Sequence, residues 1–272
     1  MSLSPVLFLF FAHLGIGIAF TLVFVSREAG VKFFRFNSGL AAVLIAIALG
    51  AGFGEPAGSE RAPSTLDPGT VALLGSEAAL VIYWATVGRM LARIRPMLVA
   101  VSVAGGLLAL IVQALTLTAG RALSLQVLTA ASFVSSAALL GGACTALVLG
   151  HWYLILPSMQ VSHLQSIVKL HIVSMIVRIS VVAAAVSVGL AAAQSPGGAS
   201  FGRYITSTDG VFFWQRVLFG LAAPAVLSYL TWETAKIRST QSATGILYVD
   251  FFTVVVGEVL AKYLLLATRV PV

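Results

Sequence analysis

Ionisable side chains inside apolar stretches are the residues of this sequence that could do chemistry. Glu258 and Lys262 lie four residues apart in one apolar run, so on a helix they share a face and can form an ion pair. Glu77 and Arg216 lie in two other apolar runs. From their positions along these runs, we predict that the four residues form a set in the outer half of a bilayer. Glu77 and Arg216 are expected to meet each other or a shared cavity.

A second set of ionisable residues is expected towards the middle and inner half of the bilayer. Its members are His13, His151, His163, His171, Arg178 and Asp250. Charged groups inside lipid cost several kcal/mol when unpaired, so each is a functional hypothesis by default. Two interpretations are open: buried salt bridges that fix helix packing, or a site that binds a polar head group and moves protons. On the second interpretation, the outer set together with Asp250 and Arg178 forms a quinone and proton site.

The histidines suggest a cofactor as one alternative. Two imidazoles from different helices at similar depth can ligate haem b. His13 and His171 meet the depth requirement and would be the iron ligands, and His151 with His163 is a second pair. The small residues Ala12, Gly15 and Gly17 would let a helix or a flat cofactor approach His13. The other interpretations are a proton relay, a contact to quinol, or a hydrogen-bonded packing residue.

The elements that must position these residues are predicted from composition. Of the 272 residues, 59% are hydrophobic and 9% are charged, and the mean hydropathy is +1.03. A soluble domain carries about 25% charged residues, so the solvent of this chain must be lipid. Runs long enough to cross a hydrocarbon core predict an all-α bundle in a single membrane domain, residues 1–272. The spans are predicted at 5–25, 37–54, 70–89, 97–118, 125–153, 163–193, 211–234 and 246–268.

Breaker residues shape some of these spans. Pro96 is expected near the start of the fourth span, and Pro224 is expected to kink the seventh. Pro157 leaves open whether the fifth and sixth spans are separate or one bent element. The segment 241–245 is predicted to be a tight polar turn, with Gly245 free to take a positive φ before the last helix.

The basic residues predict the orientation. Loops one, three, five and seven carry most of the lysines and arginines, including Arg27, Arg93, Lys169 and Lys236, whereas loops two, four and six are poor in them. Because basic loops stay in the cytoplasm, both termini are expected on the outer side of a bacterial inner membrane. The long first apolar run, with its basic residues behind it, predicts a retained helix rather than a cleaved signal.

Several chemistries have no residues to support them. Cys144 is the single cysteine, so there is no intrachain disulfide or cysteine metal site. The sequence contains no GxxxxGK(S/T) phosphate loop, no HExxH and no GxSxG. The basic residues are divided among thin loops, which argues against nucleic acid.

Eight spans in a chain of this size, with an arginine and a glutamate in the last helix pair, resemble the membrane anchors of bacterial respiratory oxidoreductases, of the polysulfide-reductase and dimethylsulfoxide-reductase type. The resemblance is architectural and assigns no residue. It implies a subunit that exchanges electrons and protons with membrane quinone and binds an iron–sulfur or cytochrome partner subunit.

The alternatives to this function are a proton-coupled transporter, which would carry protons on Glu77, Asp250 and Glu258, and a structural or assembly subunit. If quinol reacts at Glu258, Glu258→Gln is expected to lower turnover and leave assembly intact.

Overall fold

The computed structural model describes residues 3–53, 67–89, 92–155, 159–192 and 201–272, and all of its regular structure is helical within those ranges. Its α-helices are α1 (Ser4–Thr21), α2 (Gly30–Phe53), α3 (Pro68–Thr86), α4 (Arg95–Leu117), α5 (Leu123–Ile155), α6 (Val161–Ala192), α7 (Phe201–Thr206), α8 (Val211–Val217), α9 (Ala223–Lys236) and α10 (Thr240–Thr268). The segment Leu218–Ala222 between α8 and α9 is a π-helix, so these three pieces form one continuous span.

Within the described ranges, eight helical segments are long and apolar enough to cross a membrane. The predicted fold class, an all-α polytopic membrane bundle of eight spans, is therefore confirmed. The fifth and sixth spans are separate helices, and Pro157 lies outside the described residues. The polar loop at 55–63 and the loop at 194–200 also lie outside them. Which side of the membrane each terminus faces stays a prediction.

The helix boundaries differ from the prediction at three places. The first span ends at Thr21, and α2 already begins at Gly30 because Ser26 caps a short 3₁₀ turn that leads into it. The predicted turn at 241–245 is wrong, since α10 begins at Thr240 and includes it. The hydroxyl of Thr244 donates to the carbonyl of Thr240 inside the first turn, and the reversal of the chain takes place at Arg238, with φ of 60°.

Proline positions follow their backbone chemistry. Pro96 lies at the start of α4, as predicted, where its missing N–H costs no hydrogen bond. Pro224 lies at the start of α9, directly after the π-helix. The π-helix accommodates this proline inside a continuous span, because its wider turn already departs from the regular hydrogen-bond ladder.

Helices α1 and α5 form the buried centre of the bundle. They approach so closely that a Cβ on Gly141 would lie 2.1 Å from the carbonyl carbon of Gly17. One turn further along, the hydroxyls of Thr21 and Thr145 are 2.5 Å apart. Glycine contact and hydroxyl pairing are typical of helix packing in membranes, where lipid removes the hydrophobic drive for helices to associate. This central pair brings residues of α6, α8 and α10 together around it.

One end of the bundle carries most of the basic residues, and we call it the basic end. It contains the chain reversals at 22–29 and 237–239, and the turn residues 87–89 and 92–94. Lys169, predicted for a loop at this end, lies inside α6 instead. Its ammonium nitrogen is 5.0 Å from the centre of the Trp232 ring, so the charge makes a cation–π contact.

Candidate functional site

A cluster of polar side chains lies in the interior of the bundle, and we call it the polar core cluster. Its members are His13, Ser132, Ser136, Arg178, Arg216, Glu258 and Lys262. They come from α1, α5, α6, α8 and α10, and all are buried. The cluster therefore ties five helical segments together by hydrogen bonds and ion pairs.

Glu258 is the centre of this cluster because three cations bind its carboxylate. Arg178 donates from Nε to Oε1 at 2.9 Å and from Nη2 to Oε2 at 3.3 Å, in the forked geometry that suits a guanidinium. Arg216 donates from Nη2 to Oε1 at 2.8 Å, and Lys262 donates from Nζ to Oε2 at 2.9 Å. The pairing of Glu258 with Lys262, predicted from their spacing, is therefore present, together with two further cations.

Two serines of α5 complete the contacts of the cluster. Ser132 accepts from Arg178 Nη1 at 2.6 Å. Ser136 donates to Glu258 Oε2 at 2.5 Å and accepts from Lys262. Since the one proton of its hydroxyl goes to Glu258, the remaining contact, 3.1 Å to His13 Nδ1, has the imidazole as donor. His13 is thereby assigned as the Nδ1–H tautomer, and its Nε2 is buried with no hydrogen-bond partner.

The predicted separation of two sets by depth is wrong for two residues. His13 and Arg178 were assigned to the set in the middle and inner half, apart from Glu258, yet Arg178 contacts Glu258 directly and His13 reaches it through Ser136. Residue counts along a helix ignore tilt and rotation, and a long arginine reaches far beyond its own Cα. The expected meeting of Glu77 with Arg216 is also wrong, because Arg216 pairs with Glu258 and Glu77 lines a groove elsewhere.

The guanidinium of Arg216 fits a slot made by two glycines. A Cβ on Gly220 would lie 2.2 Å from Arg216 Nη1 and 2.6 Å from the Cα of Gly257. Gly220 lies within the π-helix, and Gly257 precedes Glu258 in α10. The absence of side chains at these two positions lets the helices approach and leaves room for the charged group. Nε and Nη1 of Arg216 are nevertheless buried without a hydrogen-bond partner.

His171 and Asp250 form a second polar layer between α6 and α10. His171 Nε2 lies 2.8 Å from Asp250 Oδ2, and both side chains are fully buried. The two groups are in contact without a hydrogen bond of regular geometry between them. His171 precedes Arg178 by two helical turns, so this layer lies about 10 Å closer to the basic end than the cluster does.

The other two histidines lie near the basic end of the bundle. His163 Nε2 is 2.7 Å from Glu28 Oε2, at a partly exposed position. His151 Nδ1 is 3.3 Å from the hydroxyl of Tyr248. The two histidines therefore have different partners, and nothing brings their rings together as a ligand pair.

The histidine arrangement does not fit bis-histidine haem ligation. His13 presents a free Nε2, but Nε2 of His171 faces Asp250, and the α5 backbone at Gly142 covers its Nδ1, which a Cβ there would approach to 3.4 Å. The ring of His13 packs edge-on against Phe133, with ring centres 4.7 Å apart. Gly15 and Gly17 admit neighbouring helices, with α2 against Gly15 and α5 against Gly17, so helix packing occupies the space considered for a flat cofactor. Within the described ranges, no three His, Cys, Asp or Glu residues are grouped as a metal site.

A groove of about 690 Å³ opens between α2 and α3. Apolar residues such as Val43, Ala46 and Val81 line most of it. Glu77 lies along it at the middle of α3, and its Oε2 is buried with no hydrogen-bond partner. The volume is typical of small-molecule sites, and the groove faces the outside of the bundle, where lipid lies.

The mouth of this groove lies at the basic end. Lys32 and Arg35 line it, and the Arg35 guanidinium lies 5.6 Å from the centre of the Trp84 ring. The Trp84 indole packs at Gly39, where a Cβ would lie 2.7 Å from its Nε1. The groove therefore has cationic and aromatic groups at its mouth and one carboxyl, that of Glu77, about 10 Å deeper. The rest of its lining is mostly apolar.

Sequence reasoning missed several of these residues. Ser132 and Ser136 are four apart on the most buried helix, a spacing that places both hydroxyls on one face and could have indicated the cluster. Arg35 and Trp84 belong to different helices and have no local signal for their contact.

Comparison with protein-family models, with curated proteins and with solved structures gave no match to this chain.

Proposed function

We propose that the chain is the quinone-reactive membrane subunit of an electron-transfer complex in a bacterial inner membrane, and that quinol binds in the α2–α3 groove. The observation that carries the proposal is the Glu77 carboxyl, which has an unpartnered buried oxygen and lines an apolar groove open to lipid. A lipid-soluble quinol reaches such a groove sideways from the bilayer, with its isoprenoid tail left among the acyl chains. An intramembrane carboxyl without a partner is functional by default.

This proposal keeps only Glu77 from the quinone site predicted from the sequence and assigns the other predicted residues a structural role. Glu258, Arg216, Lys262 and Arg178 satisfy one another in the interior, and Asp250 pairs with His171. These residues are 0–3% exposed, so a quinol head group could not reach them without displacing packed helices. We assign them to the framework of the bundle and place the quinol contact at Glu77.

The reaction follows from these groups. Oxidation of one quinol to quinone releases two protons and two electrons. Glu77 accepts one proton from the hydroxyl it faces, and the second leaves to water at the mouth of the groove beside Lys32 and Arg35. The electrons pass one at a time to an iron–sulfur or cytochrome centre of a partner subunit. The basic end offers cationic side chains for such a subunit to contact.

Trp84 provides a direct test of binding, because it lies in the groove. A soluble short-chain quinone added to the protein in nanodiscs should quench tryptophan fluorescence saturably. Trp84→Phe should remove most of the saturable component, whereas Trp214→Phe, on the exposed face of α8, should keep it.

Two variants test the site itself. Glu77→Gln should weaken binding of the reduced quinol about tenfold, as measured by displacement of the quenching quinone, since an amide oxygen accepts the quinol hydroxyl more weakly than a carboxylate does. Ala46→Leu should fill the groove and abolish saturable quenching. Equal affinity in the wild type and both variants would reject the groove as the site, as would a phospholipid that stays bound there in native mass spectrometry at saturating quinone.

A further inference from the structure

A second cavity, of about 470 Å³, lies at the basic end of the bundle, and we call it the arginine pocket. The turn after α1, the first turns of α2 and α4 and the last turn of α3 form its walls. Arg27, Arg95 and Tyr83 are the polar side chains among the described residues that line it, and the others are apolar or glycine. The volume is in the range of sites that bind small molecules.

Polar and apolar parts of the arginine pocket are separated by depth. Arg27 precedes the start of α2, and Arg95 is the first residue of α4. Phe34 and Val99, which line the apolar part, each lie four residues beyond the start of their helix, about 6 Å deeper. Val31, at the first turn of α2, is 49% exposed, so the pocket opens towards the outside of the bundle. It therefore has a cationic entrance at the level of the helix ends and an apolar interior beside the lipid.

The walls of the arginine pocket carry little negative charge. The segments 22–34 and 83–100 together contain five basic residues and one acidic residue, Glu28. The Glu28 carboxylate is held elsewhere, since its Oε2 lies 2.7 Å from Nε2 of His163 on α6. Within the described ranges, the guanidinium of Arg27 forms no ion pair. The positive charge at the entrance thus lacks a counter-charge from these segments.

The two arginines of the pocket lie on the same side of it. Arg95 donates from Nη2 to the carbonyl oxygen of Thr86 at 3.2 Å, which fixes its guanidinium at the end of α3. Both guanidinium groups are close enough to the Tyr83 hydroxyl to interact with it electrostatically. An anion at the entrance would therefore meet two positive charges from different helices.

We propose that the arginine pocket binds one phospholipid with a net negative head group, its phosphate between Arg27 and Arg95. Planar guanidinium groups bind phosphate through paired hydrogen bonds, and basic pockets between membrane helices select anionic head groups. The apolar interior takes the first part of an acyl chain, which a soluble phosphate does not have. A zwitterionic lipid is disfavoured because its ammonium group would lie beside two guanidinium groups.

The lipid site is independent of the proposed quinone site. None of the described residues lines both the arginine pocket and the α2–α3 groove. Failure of quinone binding in the groove leaves the lipid site standing, and failure of lipid binding leaves the groove standing, so each proposal has its own experiment.

Native mass spectrometry of the full chain in detergent tests the proposal. The protein is titrated with phosphatidylglycerol or with phosphatidylcholine of the same acyl chains, and with glycerol 3-phosphate as the head group alone. We expect one phosphatidylglycerol to bind about tenfold or more tightly than phosphatidylcholine, and glycerol 3-phosphate not to be retained. Arg27→Gln should weaken binding of phosphatidylglycerol about fivefold, the contribution of one basic residue near an anionic head group.

Matched variants separate this pocket from general charge effects. Arg93→Gln loses the same charge at an exposed position near the pocket that does not line it, and should keep the wild-type affinity. Ala46→Leu fills the α2–α3 groove and should also keep it. Arg27→Lys, which keeps the charge without the paired donors, should lie between Arg27→Gln and the wild type.

Four results would overturn the proposal. They are equal affinities for the two lipids, equal losses in Arg27→Gln and Arg93→Gln, loss of the lipid in Ala46→Leu, and retention of glycerol 3-phosphate as strong as that of the lipid. Arg27 is exposed in a turn, so its replacement is expected to fold. If it does not, the comparison of the two lipids and the free head group on the wild type still decides.

Discussion

Arg178 and Glu258 are joined by two hydrogen bonds between α6 and α10, Nε to Oε1 at 2.9 Å and Nη2 to Oε2 at 3.3 Å. Neither helix could rotate or slide without breaking this fork. The same guanidinium also donates to the Ser132 hydroxyl of α5. One arginine thus fixes the mutual register of three helices at the level of the polar core cluster.

Replacing Arg178 should therefore be among the most damaging single changes. Arg178→Gln breaks a buried ion pair and should cost about 3–5 kcal/mol of unfolding free energy. Arg178→Lys should lie between this variant and the wild type, since a lysine cannot reproduce the fork. The unfolding midpoint in detergent measures both, with exposed Arg121→Gln as the unaffected control. A wild-type midpoint for Arg178→Gln would contradict the framework role.

The polar core cluster has three cations around one carboxylate, and this imbalance predicts that variants which neutralise one charge differ in stability. Glu258→Gln leaves three cations without their carboxylate, whereas Arg216→Gln removes one of the excess cations. Glu258→Gln should therefore destabilise the protein far more than Arg216→Gln at the same salt, as monitored by the yield of folded protein and its unfolding midpoint. This revises the earlier expectation that Glu258→Gln would assemble normally. Equal losses in the two variants would mean that the cluster is not overcharged.

Two glycines on α10 differ in how closely they are packed, so their alanine variants form a test and its control. Gly257→Ala places a Cβ 2.1 Å from the Cα of Gly220, so α10 must move away and the cluster must open. The expected cost is about 1–3 kcal/mol. Gly245→Ala, on the same helix with open space around it, should be neutral or stabilising by up to about 1 kcal/mol. A thermal unfolding series of the two variants checks the sign of each.

The His171–Asp250 pair predicts coupling between two mutations. His171→Leu and Asp250→Leu should each destabilise, because each leaves one buried polar group without its partner. The double variant should recover most of the loss, since two leucines can pack between α6 and α10. Additive losses in a double-mutant cycle would show that the two residues act independently.

The orientation of the bundle can be tested with cysteines. In a background with Cys144→Ala, a cysteine in place of Arg121 should react with an impermeant maleimide added to intact cells, because that loop is expected outside. A cysteine in place of Lys236, at the basic end, should react only after the membrane is opened. The reverse pattern would invert the bundle and place the basic end outside.

How far the sequence predicted this structure depends on the range of the interactions. The eight spans and the Glu258–Lys262 pair follow from run length and from a spacing of four residues, both of which are local. The pairing of Arg178 with Glu258 could not be predicted from local sequence, because it depends on how α6 is rotated against α10. Asp250 and His171 were both recognised as candidates, but their pairing was not, because the two residues are 79 positions apart in the sequence and lie on different helices. Glu77 was grouped with charged residues that it does not contact.

The π-helix at Leu218–Ala222 also has a consequence for how related sequences would align. A π turn contains one residue more than an α turn, so everything beyond it is rotated by about 100° relative to a regular helix. The extra residue therefore sets the rotation of Arg216 on α8 relative to the residues of α9 that follow Pro224. Deleting a single residue between 218 and 222 would restore a regular helix and turn either Arg216 or all of α9 away from its present contacts. A chain with the same bundle but without this cluster would be expected to differ by a one-residue gap at this position.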